Sequence, residues 1–550
     1  MENNFVFLQL SSLHKVFLNE DITNLKEEKG TAALKGERVS YQILYTGGLD
    51  RRAVASYSIK APEGIDVKVS KVGNVPCEMP ARRYECDEHY LSIEPGLYPD
   101  VLYPIEEGEI FHIIRGNKHS LYITAEISKD IEAGEYPVTM VIDIEGKKYE
   151  KTFCIKVLNA VLPKQYLTYT QWFHADCISS YYGYEPLSEE HWDMIEKFIK
   201  MAAYTGINLI LTPIYTLPLD TEVGRERPTV QLVDITYKNG EYTFNFDKLV
   251  RWINICKKYG IESFEMPHLF SQWGTGCTPK IEALTDEGKK NIFGWHVKAD
   301  TPQYRGFLNR FLPKLTECLK EQGVYDNTYF HISDEPNFEK HYEIYKTERE
   351  MVEGLIPADK IIDALSHFEF LECGLIEKPI PITSSVEKFI EKGYELEWTY
   401  YCCGPCDDGY SNRLIAMPSG RTRIVGMQMY KYDLTKFLHW GYNFYYSELS
   451  KRAVNPFLVT DADEGFQSGD SYSVYPGEDG PLESLRSVVF FEGIQDMRAC
   501  KLLESYIGRD EVVKILEEDG EIKFNRFPRT DAGILGLRER INKKLEEVIK

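Results

Sequence analysis

The chain has 550 residues, with 64 Lys and Arg against 86 Asp and Glu and a formal net charge of −22. At roughly 100 to 200 residues per domain that length fits two to four units, or fewer if one is a large α/β barrel. The acidic balance excludes nucleic acid or an anionic membrane surface as the main partner, because it offers neither phosphate neutralisation nor polybasic attraction.

The N-terminal stretch MENNFVFLQLSSLHKVFL carries Glu2 where a secretion signal needs positive charge, and it contains no small-residue cleavage site. No apolar run approaches the ~18 residues of a membrane span. A cytoplasmic protein without membrane contact is expected, unless a leader has been removed. Twelve cysteines over this length are no disulfide scaffold. The cluster Cys402, Cys403 and Cys406 lacks the second pair that structural zinc requires, so it is expected to hold no metal and to serve packing around Gly404 and Pro405.

From about residue 36 to 160, short alternating stretches are bounded by turn residues: VASYSIKAP, DVKVSKVG, SLYITAEIS and the hairpin-like EYPVTMVIDIEGKKYEKTFCIKVL. Period-two alternation at this spacing predicts an antiparallel β-sandwich. NAVLPK ends it, placing a sandwich domain over residues 1–163 and a second domain over 164–550.

Past Pro163, short apolar strands alternate with longer amphipathic helices. Strands are predicted over 166–173, 207–215, 261–270, 327–336, 360–366, 379–384, 395–402 and 442–448. A helix opens on Ser188 with acidic residues in its first turn and closes on Gly206. Eight such alternations indicate a (β/α)8 barrel of the TIM type, its eighth helix over 481–504, with LGLRERINKKLEEVIK as a charged terminal helix. No Gly-rich nucleotide loop follows any strand, and no cofactor is expected.

A barrel's chemistry sits at the C-terminal ends of its strands. The fourth ends in His331-Ile332-Ser333-Asp334-Glu335-Pro336. Adjacent carboxylates raise one pKa and leave a protonated acid beside an ionised partner, which is the division of labour glycoside hydrolysis needs. The competing reading is an acidic helix N-cap, with Asp334 or Glu335 accepting from the backbone after Pro336. Other strand ends carry Trp172 and His174, His268 with Trp273 beyond, Trp398, Tyr400 and Tyr401, and Tyr445, Tyr446 and Glu448. Together with His331 they outline an aromatic cup, so Trp172, His174, His268, Trp273, His331, Trp398, Tyr400 and Tyr446 are the candidate sugar-binding residues.

Three stretches, HISDEP, WTYYCCGP and GDSYSVYPGEDGPLESLRSVVFFEGIQDMRACKLL, resemble glycoside hydrolase family 123. The resemblance covers most of the chain from about Gln165, and AGEYPVTMVI and NAVLP fit its sandwich. It implies a β-sandwich joined to a barrel, exo-acting β-N-acetylgalactosaminidase activity on a small carbohydrate or glycan, and an adjacent Asp-Glu pair carried onto Asp334 and Glu335. Members are often exported, whereas this N-terminus shows no leader.

Adjacent carboxylates suit substrate assistance, because facing acid and nucleophile usually come from different strands. The sugar's own 2-acetamido oxygen would attack the anomeric carbon, with Asp334 orienting the amide and Glu335 acting as general acid and base. One rival mechanism uses Glu335 with a strand-seven nucleophile, Glu395 or Glu397. Another reading is a carbohydrate-binding or structural protein without activity.

Overall fold

A computed structural model describes residues 5–47, 52–82, 84–274 and 276–549. The alternating N-terminal stretches form ten strands: β1 (Val6–Ser11), β2 (Gly30–Lys35), β3 (Arg38–Thr46), β4 (Ala53–Lys60), β5 (Ile65–Cys77), β6 (Gly96–Pro104), β7 (Phe111–Ile113), β8 (His119–Ile127), β9 (Gly134–Ile144) and β10 (Lys147–Val161). They build two five-stranded sheets, ordered β1-β3-β8-β5-β6 and β2-β10-β9-β4-β7. Every pairing is antiparallel except that of β2 with β10. Alternation puts one face of each sheet inward, where Tyr41, Ile43, Ile123, Met140, Ile142 and Phe153 share a core and Tyr41 stacks on Phe153 at 4.0 Å. The β9–β10 hairpin turns on Glu145 and Gly146, both at positive φ, as a two-residue turn of matching twist requires.

Eight further strands pair in parallel: Thr168–Gln171, Leu209–Leu211, Ser263–Met266, Thr328–Phe330, Ile362–Ala364, Lys378–Ile380, Trp398–Tyr400 and Lys436–His439. They form two ladders of three strands and one of two, where a single closed barrel sheet was expected. Single parallel bridges, Phe330 to Ile361 and Ile382 to Tyr400, span the gaps between ladders. Pro379 and Pro381 beside one gap cannot donate to a ladder, which keeps the pairing there short.

All but the last of these strands overlap the predicted stretches. The eighth lies at Lys436–His439, upstream of the predicted 442–448, whose Asn443 makes only an isolated antiparallel bridge with Tyr472. The aromatic run YNFYYSE outweighs the short KFLH in any count of β-formers, yet it is KFLH that pairs with two neighbours. Sequence reading also passed over the four-stranded sheet of Asp234–Lys238, Glu241–Asn245, Ile281–Thr285 and Gly288–Phe293.

The helix Glu189–Tyr204 starts where predicted, the Ser188 side chain accepting from the His191 N–H, and it buries Trp192, Ile195, Phe198, Ile199 and Ala202 at helical spacing. The two parts of the molecule share one core, in which Leu34, Val75 and Val101 from the sheets join residues of the parallel-stranded part. Buried ion pairs cross the same boundary. Arg486 on the helix Leu485–Ile507 meets Asp100 of β6 at 2.8 Å, and Arg538 on the terminal helix Asp531–Val548 bridges Glu37 and Asp496 at 2.7 and 2.8 Å. No helix among the described residues is long and apolar enough to cross a membrane.

Candidate active site

At the C-terminal ends of the parallel strands a cavity of about 100 Å³ is lined by Trp172, Leu219, Asp220, Trp273, Asp334, Glu335, Ala364, Tyr400, Cys402, Cys403, Leu438, Trp440 and Phe466. Its walls are largely apolar, with carboxyl groups gathered at one side.

The backbone sets the acid pair against one rim. Residues 269–273 run beside 331–334, with Leu269 N–H donating to His331 O, Phe270 N–H to Ile332 O and Trp273 N–H to Asp334 O at 2.9 to 3.1 Å. Trp273 therefore stands at the rim, 37% exposed, next to Asp334. Glu335, Trp273 and Asp220 all hold positive φ, at 41, 50 and 39°. Such strain in side-chain-bearing residues concentrates at functional sites. The helix after Pro336, Phe338–Val352, is capped by Asn337, whose side chain accepts from Lys340 N–H. Neither Asp334 nor Glu335 is thus occupied as a helix cap.

The pair differs in surroundings. Asp334 retains 13% side-chain exposure, and its Oδ1 lies 3.9 Å from His268 Nε2. Burial and then the charge of Glu335 push its carboxyl well above the usual range, against an opposing pull from His331. Glu335 opens toward the mouth, and its Oε1 accepts from the Tyr400 hydroxyl at 2.6 Å. Enclosure by the pocket raises Glu335 too, while the Tyr400 hydrogen bond acts to lower it.

Below the cavity floor lies a buried polar layer. His331 Nε2 meets Glu265 Oε2 at 3.0 Å and its Nδ1 is 3.5 Å from Asp363 Oδ1. Glu265 also accepts from Trp172 Nε1 at 3.3 Å and from the Thr170 hydroxyl. Asp363 accepts from the Tyr345 hydroxyl at 2.7 Å and from Ile332 N–H at 2.9 Å. Burial alone would lower the His331 pKa, but bonding to Asp363 and Glu265 overrides it and the value rises to about 9. His331 is therefore a cation at neutral pH, seated under Asp334. Its ring lies tilted against that of His268, the centroids 4.6 Å apart, and burial with that neighbouring charge holds His268 neutral.

His268, His331 and Asp363 offer ligand-type atoms within 4.8 Å of one another. Within that set His331 Nε2 is already engaged by Glu265 Oε2 at 3.0 Å and Asp363 by the Tyr345 hydroxyl at 2.7 Å. Cys402 and Cys403 line the cavity wall, and the buried Cys406 donates to Glu85 O at 3.1 Å.

Of the residues proposed from sequence, Trp172, Trp273, Tyr400, Asp334 and Glu335 face this cavity. His268 and His331 lie beneath it. His174 is fully buried between the Trp440 carbonyl and Arg227, at 3.0 and 3.1 Å, and burial with the Arg227 charge lowers it to about 3. Trp398 is fully buried within its strand. Tyr446 bonds to Ser180 Oγ at 2.6 Å and lies under the Arg227 guanidinium. Sequence reading missed Trp440, whose Nε1 donates to Asp470 Oδ2 at 3.0 Å, together with Leu219, Asp220 and Phe466. Trp440 directly follows the strand that was placed too late in the chain.

The description "Glycoside hydrolase 123, catalytic domain" matches residues 172–503, more than half of the chain. The chain belongs to glycoside hydrolase family 123. Every residue lining the cavity falls inside the family 123 match, and the two antiparallel sheets fall outside it. A solved family 123 glycoside hydrolase from Clostridium perfringens, described in terms of glycolipid glycan hydrolysis, is similar with a TM-score of 0.73 and 15% identity, covering 99% of this chain and 98% of that one. This is a likeness of fold over both the antiparallel and the parallel-stranded parts. A β-glucuronidase from Bacteroides uniformis covers 84% of this chain and 50% of its own at 11% identity, but its TM-score of 0.29 carries no argument. Curated proteins give no match.

Proposed function

We propose that this family 123 glycosidase removes a terminal 2-acetamido-2-deoxy sugar, a β-N-acetylgalactosaminide or close relative, by substrate-assisted retaining catalysis. On this reading residues 1–163 are a scaffold, and the three parallel ladders of 164–550 act as one (β/α)8 barrel whose mouth is the cavity. The observation that carries the proposal is the adjacent pair Asp334 and Glu335, uncapped and strained, in an apolar pocket walled by Trp172, Trp273, Tyr400 and Trp440.

The electrostatics suit the chemistry. Two raised carboxyls side by side hold one proton between them. A bound sugar's amide N–H donated to Asp334 would favour its ionised form, with the His331 cation beneath it, and leave the proton on Glu335. The acetamido oxygen then attacks the anomeric carbon as Glu335 protonates the departing oxygen. The oxazolinium-like charge develops against Asp334, and Glu335 takes a proton from water in the second step. The rival nucleophile is badly placed: Glu397 precedes its strand and pairs with Lys436 and Lys378 at 3.0 and 3.4 Å, and Glu395 is exposed.

A thiazoline analogue of the cyclised sugar mimics the charge and shape of that intermediate, so it is expected to inhibit competitively and far more tightly than the free sugar. Inhibition no better than by the free sugar would count against a cyclised intermediate. A second expectation follows from Tyr400. Its hydroxyl stabilises ionised Glu335, so Tyr400→Phe should raise that pKa and move the basic limb of kcat/KM upward. One hydrogen bond of about 0.5 to 1.5 kcal/mol corresponds to at most about one pH unit. A pH–rate profile in which the limb stays or moves down would contradict this.

A further inference from the structure

The cavity carries a second chemistry that glycoside hydrolysis does not use. Cys402 and Cys403, on adjacent residues, both line it, both half-buried, with their sulfurs 3.9 Å apart. They follow Tyr400, the partner of Glu335, at the end of its strand. The third cysteine of the cluster is committed elsewhere: Cys406 Sγ donates to Glu85 O and accepts from Gln467 Nε2 at 3.2 Å, and burial pushes its thiol up to about 12.

We propose that Cys402 and Cys403 are a vicinal dithiol modification site, oxidised by a hydroperoxide to a disulfide between adjacent residues that shuts down the pocket. Cys403 is the attacking sulfur, because its hydrogen bond to Cys402, with burial, holds the Cys402 thiol in its protonated form. The Cys403 sulfur takes one oxygen of hydrogen peroxide, the O–O bond breaks, and a sulfenic acid and one water result. The Cys402 sulfur then attacks that sulfenic sulfur, the S–O bond breaks, and the leaving hydroxide takes the Cys402 proton as a second water. Two thiols lose two electrons and two protons, and peroxide is reduced to two waters.

Forming the bond brings the sulfurs from 3.9 Å to about 2.05 Å, so the loop must shift. There is room for this at Gly404, where a Cβ would meet nothing within 4 Å. Cys402 is anchored through its N–H to Gly404 O and through its carbonyl to Asn412 Nδ2, each at 2.9 Å, so the shift is transmitted to the pocket wall beside Tyr400 and Glu335.

The test treats the purified protein with hydrogen peroxide and reads intact mass and peptide mapping, with turnover of a nitrophenyl 2-acetamido glycoside in parallel. The mass readout needs no substrate, so it stands apart from the glycosidase reading. The expected result is loss of the mass of two hydrogens, mapped to a Cys402–Cys403 peptide, with kcat/KM falling at least about tenfold and both changes reversed by dithiothreitol. Cys403→Ser should not form the bond, whereas substitution of the exposed Cys373 by Ser should leave the mapped disulfide intact. Free thiols at both positions after treatment, sulfinic acid there without a disulfide, or full turnover with the disulfide formed would each overturn the proposal.

Discussion

Asp334→Asn is expected to lower turnover of nitrophenyl 2-acetamido-2-deoxy glycosides by roughly 10³-fold, the scale of removing one preorganised electrostatic partner of a transition state. The substitution keeps shape and one acceptor oxygen but removes the negative charge. That charge is needed before any aglycone departs, because it orients the amide and meets the oxazolinium-like charge as it forms. A good leaving group therefore offers no escape. The loss should appear in kcat and somewhat more in kcat/KM, since the amide hydrogen bond to Asp334 is already made in the bound state and the charge interaction grows on the way to the transition state. Wild-type circular dichroism with activity within about tenfold of wild type would remove Asp334 from the mechanism.

Glu335→Gln is expected to behave differently, and the contrast is the signature of the assignment. A nitrophenolate leaves without protonation, so the first step on nitrophenyl substrates should be little affected. An alkyl or natural glycoside must be protonated as it leaves, and loss of the general acid should cost about 10² to 10⁴ in rate. The measurement is kcat/KM across leaving groups of graded acidity. Wild type should show a shallow dependence and Glu335→Gln a steep one. A uniform loss across the series would mean that Glu335 acts on something other than the leaving group.

Much of this was legible in sequence, and the failures have physical causes. The sheets of the N-terminal part were readable where one face of a strand is buried and the other is not, which writes period two directly into residues such as Ala53, Ala55 and Tyr57 of β4. The parallel strands carry no such alternation. They are three or four residues long and mostly buried on both faces, completely so at Leu209–Leu211, and so are read only from their spacing. That is why the eighth could slide onto a nearby aromatic run and hide Trp440. The inserted sheet was signalled by Asn239-Gly240, a strong hairpin pair whose residues both take positive φ, between the alternating stretches DITYK and EYTFN, but it interrupts the strand–helix repeat by which the rest of this part was read.

The acid pair was visible because two charges ending an apolar strand are costly without a use. The same logic would have found Glu265 and Asp363, each a lone carboxylate inside an apolar strand, and with them the buried layer that keeps His331 charged. What sequence cannot supply is depth. His174, His268, His331, Trp398 and Tyr446 all belong to strand ends or the loops beyond them, and only the fold separates residues that face the cavity from residues that support it.

The central claim is that the substrate supplies its own nucleophile. The direct measurement is kcat/KM of the purified protein on paired nitrophenyl β-glycosides that are identical except that one carries a 2-acetamido group and the other a 2-hydroxyl. The account predicts turnover of the acetamido member and essentially none of the hydroxyl member, because on this mechanism the acetamido oxygen is the nucleophile. Comparable rates on both would contradict it.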